Sequence, residues 1–69
     1  MLPIANQVRE AREERGMTQS ELGAAIGLTR QTVAAIEQRR YSPSLEAAFR
    51  IALVFGVGVE ALFQWEEPA

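Results

Sequence analysis

A chain of 69 residues has room for one domain, and the absence of cysteine removes disulfides and thiolate metal sites as ways to stabilise so small a core. With no histidine and no aspartate, neither a metal or cofactor site nor acid–base or nucleophilic catalysis finds a usual residue set, so an enzyme is the poorest reading. A net charge of −2 argues at first against a nucleic-acid partner. The distribution reverses that argument. All seven positive charges are arginine, and Arg30, Arg39 and Arg40 fall within residues 29–41, where Glu37 is the only acid. Such a local positive face can bind phosphate, with weaker non-specific affinity as the consequence of the acids elsewhere. Hydrophobic residues make up 48%, more than a disordered chain carries. The longest apolar run, Ile51 to Phe55, is far too short for a membrane span, and nothing resembles a signal peptide, so a cytoplasmic protein without a membrane partner is expected.

Caps and breakers predict five short helices in an all-α domain over residues 1–69. The first runs from about Asn6 to Arg15, with Val8 and Ala11 inward, and Gly16 ends it. Thr18-Gln19-Ser20-Glu21 fits a capping box opening the second, whose apolar stripe is Leu22, Ala25 and Ile26 and whose breaker is Gly27. Thr29 caps the third, which extends to about Gln38 and buries Val33 and Ile36. Arg39 to Tyr41 read as a loop. Ser42 followed by Pro43 predicts a cap and first position for the fourth helix. Its apolar positions are Leu45, Ala48, Phe49, Ala52 and Leu53, and Gly56 stops it. A short last helix covers about Val59 to Phe63.

The segment 18–38 carries the functional signal. Two short helices joined by about three residues cross steeply, so glycine at 23 lets the backbones approach and glycine at 27 supplies a left-handed turn. Pairing through Leu22, Ile26, Leu28, Val33 and Ile36 leaves Gln31, Ala34, Ala35 and Gln38 on the opposite face of the third helix, with Arg30 at its edge. That face is polar and short in side chain at its centre. It suits entry into the major groove of double-stranded DNA.

Taken together, Arg9-x-x-Arg12-x-x-Arg15-Gly16-Met17-Thr18-Gln19-x-x-Leu22, Gly27-Leu28-Thr29-Arg30-Gln31-Thr32-Val33-x-x-Ile36-Glu37, Tyr41-x-Pro43-Ser44-Leu45 and Phe55-Gly56-Val57 resemble the Cro/CI-type (Xre) helix-turn-helix repressors over nearly the whole chain. The ending Leu62-Phe63-Gln64-Trp65 is similar to a compact, cytolysin-repressor-like subset of that family. The resemblance implies roles. Gln19 touches phosphate and braces the third helix; Thr29 caps it and touches phosphate; Arg30, Gln31 and Thr32 address bases. Arg12 and Glu37 form a partly buried ion pair that is architectural. Family members usually carry Asn-Gly after the residue at 37, presenting backbone amides to phosphate. This chain has Gln38-Arg39, so Arg39 and Arg40 are expected to replace that contact with charge.

The resemblance also implies a homodimer. Val57, Val59, Phe63 and Trp65 exceed what one short final helix buries, and with a core marginal alone they are expected to pack within or between subunits. Leu62 is expected to face the core, Val59 and Phe63 a two-fold axis. Phe63 to Glu66 would pair with Leu2 to Ile4 as an edge ribbon, since Pro3 lacks a donor. The expected function is a sequence-specific transcriptional regulator, a repressor on a palindromic operator, with no small-molecule ligand evident. The rival is a protein-interaction module, such as an antitoxin or co-regulator subunit, because fold alone does not decide function.

Overall fold

The computed structural model describes residues 1–66. In chain order it comprises β1 (Ile4–Asn6), α1 (Val8–Glu14), α2 (Gln19–Ile26), α3 (Arg30–Glu37), α4 (Leu45–Phe55), α5 (Val59–Leu62) and β2 (Phe63–Trp65). Among the described residues no helix is long and apolar enough to cross a membrane.

Local chemistry sets the helix starts. Thr18 accepts from the Glu21 amide at 3.0 Å while the Glu21 carboxylate accepts from the Thr18 amide at 2.8 Å, which completes the capping box. Thr29 Oγ1 accepts from the Thr32 amide at 3.2 Å. Asn6 Oδ1 accepts from the Val8 amide at 3.1 Å, a local turn that leads from β1 into α1, whose N-cap Gln7 makes no side-chain capping bond. The α4 cap is Ser44, whose hydroxyl accepts from the Ala47 amide at 3.1 Å. Ser42-Pro43 therefore lies in the preceding loop, and the expected start two residues earlier is corrected.

The core is Val8, Leu22, Ile26, Val33, Ile36, Ile51, Ala52, Phe55 and Leu62. Its α4 component departs from expectation in part, with Ala48 and Ala52 inward as expected. Ala47, Ala48, Ile51, Ala52 and Phe55 are inward, whereas Leu45, Phe49 and Leu53 are 71%, 53% and 79% exposed. Both stripes of this helix are apolar at helical spacing, so periodicity cannot choose between them. α4 packs against α2 and α5, and the large side chains of Leu45, Phe49 and Leu53 are left outside. Ala25 is likewise exposed, its place on α2 taken by the buried Gly23. Arg15 Nη2 donates to the Phe55 carbonyl at 2.8 Å and the guanidinium lies 5.6 Å from the Phe55 ring centroid, a cation at the carbonyl end of α4.

The two strands form an antiparallel ribbon with Ile4 opposite Trp65, Ala5 opposite Gln64 and Asn6 opposite Phe63. The ribbon is as expected in kind, and its first strand sits two residues later than expected. Pro3 contributes only its carbonyl, which accepts from the Glu66 amide at 2.6 Å. Leu62 faces the core as expected. Trp65, 68% exposed, takes no part in it.

Candidate nucleic-acid interface

Recognition by a helix in a groove needs a helix held by one face and bare on the other. α3 meets both conditions. Val33 and Ile36 are almost fully buried against α2, while Arg30, Gln31 and Gln38 are exposed. Thr32, Ala34 and Ala35 are half-buried, and the two alanines keep the centre of the helix low. The close crossing depends on Gly23. A Cβ there would lie 2.6 Å from the Leu28 carbonyl oxygen, so the approach is to the turn between the helices. Gly27 provides that turn with φ of +76°, and the Leu28 amide closes it on the Gly23 carbonyl at 2.9 Å.

The C-terminal end of α3 is held by a buried polar network. Arg12 Nε and Nη2 donate to the two Glu37 carboxylate oxygens at 2.7 and 3.2 Å, and Gln19 Nε2 donates to Glu37 Oε1 at 3.1 Å. Arg12 Nη1 also donates to the Met17 carbonyl at 2.7 Å. Only 11% of the Arg12 side chain and 3% of the Glu37 side chain are accessible. Hydrogen bonding to Glu37 raises the Arg12 pKa above its ordinary value, against a desolvation that lowers it. The pair anticipated from the family pattern is present, and so is the brace from Gln19. It has an electrostatic consequence too. The one acid within residues 29–41 is buried and neutralised, leaving no exposed carboxylate in that segment.

Seven arginines are then sorted by what holds them. Four are in ion pairs among the described residues: Arg9 with Glu13, Arg12 with Glu37, Arg39 with Glu66 and Arg50 with Glu46. Arg15 is bound to carbonyls at the end of α4. Arg30 and Arg40, both exposed and outside any ion pair among the described residues, flank α3 at its two ends. Arg40 Nε donates to Gln38 Oε1 at 2.8 Å, which joins these two exposed side chains. Thr29 and Thr32 hydroxyls lie 3.0 Å apart, so the cap and one expected base-contacting residue share a hydrogen bond.

Arg39, expected to supply charge to phosphate, is in an ion pair with Glu66. It adopts φ of +58°, the left-handed conformation, where the family pattern has glycine. Its amide donates to Ile36 O at 3.0 Å and the Arg40 amide to Ala35 O at 2.9 Å, the paired bonds of a Schellman ending. A left-handed non-glycine residue costs roughly 1–2 kcal/mol. Its guanidinium bonds the Leu2 carbonyl and Glu66, which flank the ribbon. Two further details were not legible in sequence. Asn6 donates through Nδ2 to the Ile36 carbonyl at 2.9 Å, a link across 30 residues for which a lone asparagine gives no signal. The positive φ at 39 was foreshadowed by the displaced glycine, but the direction of the side chain was not.

Val57 and Trp65 are exposed, and Val59 and Phe63 half-buried. Val59 and Phe63 line an open groove of about 290 Å³ with Ile4, Pro43, Leu45 and Ala48.

A bihelical unit with a close turn, a bare polar face and flanking arginines defines a helix-turn-helix DNA-binding domain. Residues 8–62 match the helix-turn-helix family model. The chain is 47% identical over 64 residues to the uncharacterised HTH-type transcriptional regulator YgzD of Bacillus subtilis, covering 93% of this chain and 97% of that protein. It is 33% identical over 59 residues to the cryptic phage CTXphi transcriptional repressor RstR of Vibrio cholerae, covering 86% of this chain and 53% of the relative. Among solved structures, the hypothetical transcription factor NHTF from Neisseria superposes with a TM-score of 0.73 at 31% identity, over 78% of this chain and 61% of that one. The chain belongs to the Cro/CI-type (Xre) helix-turn-helix family of transcriptional regulators.

Proposed function

We propose that this protein is a cytoplasmic repressor that binds a palindromic operator in double-stranded DNA as a homodimer. The observation that carries the reading is the placement of Arg30 and Arg40, two exposed arginines outside any ion pair among the described residues, at opposite ends of a recognition helix whose own acid is buried. Arg30 and Arg40 then meet backbone phosphates, with Gln19 and the Thr29 cap beside them. Gln31 reads a base, with Thr32, Ala35 and Gln38 on the same approach. Repression is supported by the phage repressor among the relatives.

Selection of sites from a random duplex library tests base reading. Gln31→Ala is expected to relax preference at one position per half-site, at a cost of roughly 1–3 kcal/mol for the preferred base, whereas Arg40→Ala weakens all sequences about equally. An unchanged preference matrix in Gln31→Ala moves base reading to Arg30 and Thr32.

The dimer rests on different observations. One recognition helix reads too few base pairs for specificity, and a two-fold pair reads half-sites roughly 34–36 Å apart. The groove holding Val59 and Phe63 adjoins Leu45, the first of the exposed α4 side chains, and Val57 and Trp65 add further exposed apolar surface near the chain's end. Sedimentation equilibrium is expected to show a dimer at tens of micromolar without DNA, and a monomer for Val59→Glu. A monomeric wild type at that concentration refutes the preformed dimer.

The exposed Leu45, Phe49 and Leu53 stripe also favours a second reading, an interaction module whose partner covers α4. Failure of the library selection to enrich any site, with the wild type folded, would favour that reading.

A further inference from the structure

We infer that Arg39 is a positioning residue for DNA recognition, fastening the terminal ribbon to the last turn of α3 and so fixing the recognition helix at its C-terminal end; this rests on the DNA-binding reading above. The geometry is that of a clasp. Nε and Nη2 of Arg39 both donate to the Leu2 carbonyl, at 3.1 and 2.6 Å, and Nη1 donates to Glu66 Oε1 at 2.8 Å. Leu2 precedes β1 and Glu66 follows β2, so one guanidinium grips both strands of the ribbon. The backbone joins in: the Leu2 amide donates to the Arg39 carbonyl at 3.3 Å. Asn6 supplies a second fastening through its bond to the Ile36 carbonyl, one turn earlier.

Two features separate this clasp from an ordinary surface ion pair. Only 15% of the Arg39 side chain is accessible, against 63% for Glu66, so the guanidinium is packed and three of its N–H directions are occupied. Arginine also stands where glycine is conformationally cheapest, in the left-handed position of the Schellman ending. A side chain retained at such a position, with its planar fork filled, points to a requirement for the fork. Lysine carries the charge but cannot make the paired bonds to one carbonyl together with a third to a carboxylate in that plane. The consequence is that Arg39 does not meet phosphate. It holds α3 at the angle from which Arg30, Gln31 and Arg40 reach DNA.

The test has an arm without DNA. Amide hydrogen exchange at Leu2 and Glu66 is expected to accelerate about tenfold in Arg39→Gln, because opening of these bonds becomes easier by that factor. Unchanged exchange at both amides overturns the clasp. The second arm measures operator affinity against salt. Arg39→Gln, Arg39→Lys and Glu66→Gln are each expected to bind about tenfold more weakly, with a salt slope equal to that of the wild type. Arg39→Gly removes the left-handed strain and keeps the helix ending, so it folds, and it is expected to show the same loss. If Arg39→Gln instead flattens the slope by about one per subunit while Glu66→Gln binds more tightly, Arg39 is a phosphate contact and Glu66 its competitor, and the proposal fails. A wild type that binds no DNA refutes the DNA-binding reading alone, and the exchange arm still decides the clasp.

Discussion

Arg12→Ala is expected to destabilise the domain by about 3–5 kcal/mol, because it strands the Glu37 carboxylate in a site where only 3% of that side chain meets water. Three bonds disappear at once: two to Glu37 and one to the Met17 carbonyl. The Gln19 amide remains as the partner of Glu37 among the side chains of this network, and a neutral donor does not replace a bidentate cation. A chain of 69 residues has a total stability of roughly 3–10 kcal/mol, so the loss is comparable to the whole. Each kcal/mol moves the midpoint of a domain this size by about 4–8 °C, and a fall of more than 12 °C is expected in a thermal melt followed by circular dichroism. Arg12→Met combined with Glu37→Met should recover much of it, since removing both charges leaves neither unpaired. A midpoint in Arg12→Ala equal to that of the wild type contradicts the burial of the pair.

Operator binding is expected to fall steeply with salt. Each cation placed on a phosphate releases condensed counterions, giving a slope in log K against log salt of about −0.9 per phosphate neutralised. Counting Arg39 with Arg30 and Arg40 gives three charges per subunit and a slope for the dimer near −5. With the Arg39 guanidinium committed to Leu2 and Glu66, two remain, and the expected slope is about −3.6. Between 50 and 200 mM salt this corresponds to about a 150-fold loss of affinity. A slope near zero on a cognate site would remove Arg30 and Arg40 from the interface, and a slope beyond −5 would return Arg39 to it.

The features determined by sequence alone are those with a local cause. Thr18 and Glu21 lie within one turn of each other, as do Thr29 and Thr32, so the starts of α2 and α3 are written in adjacent residues. Gly27 and Gly56 stop helices because left-handed backbone is cheap at glycine, and Val33 and Ile36 repeat at the spacing that buries one face of α3. Arg12 and Glu37, 25 residues apart, were legible only because the family pattern pairs those positions; spacing alone carries no such information. Tertiary structure decided the rest. α4 is apolar on two overlapping stripes that share Ala48 and Ala52, and the fold turned Ala47, Ile51 and Phe55 inward, leaving Leu45, Phe49 and Leu53 outside. Ser44, and not the expected Ser42, caps that helix. Likewise, the charge at Arg39 was visible in the sequence but its direction was not. A guanidinium on a flexible stem takes its partners from whatever the fold brings near, and here the fold brought the two ends of the chain.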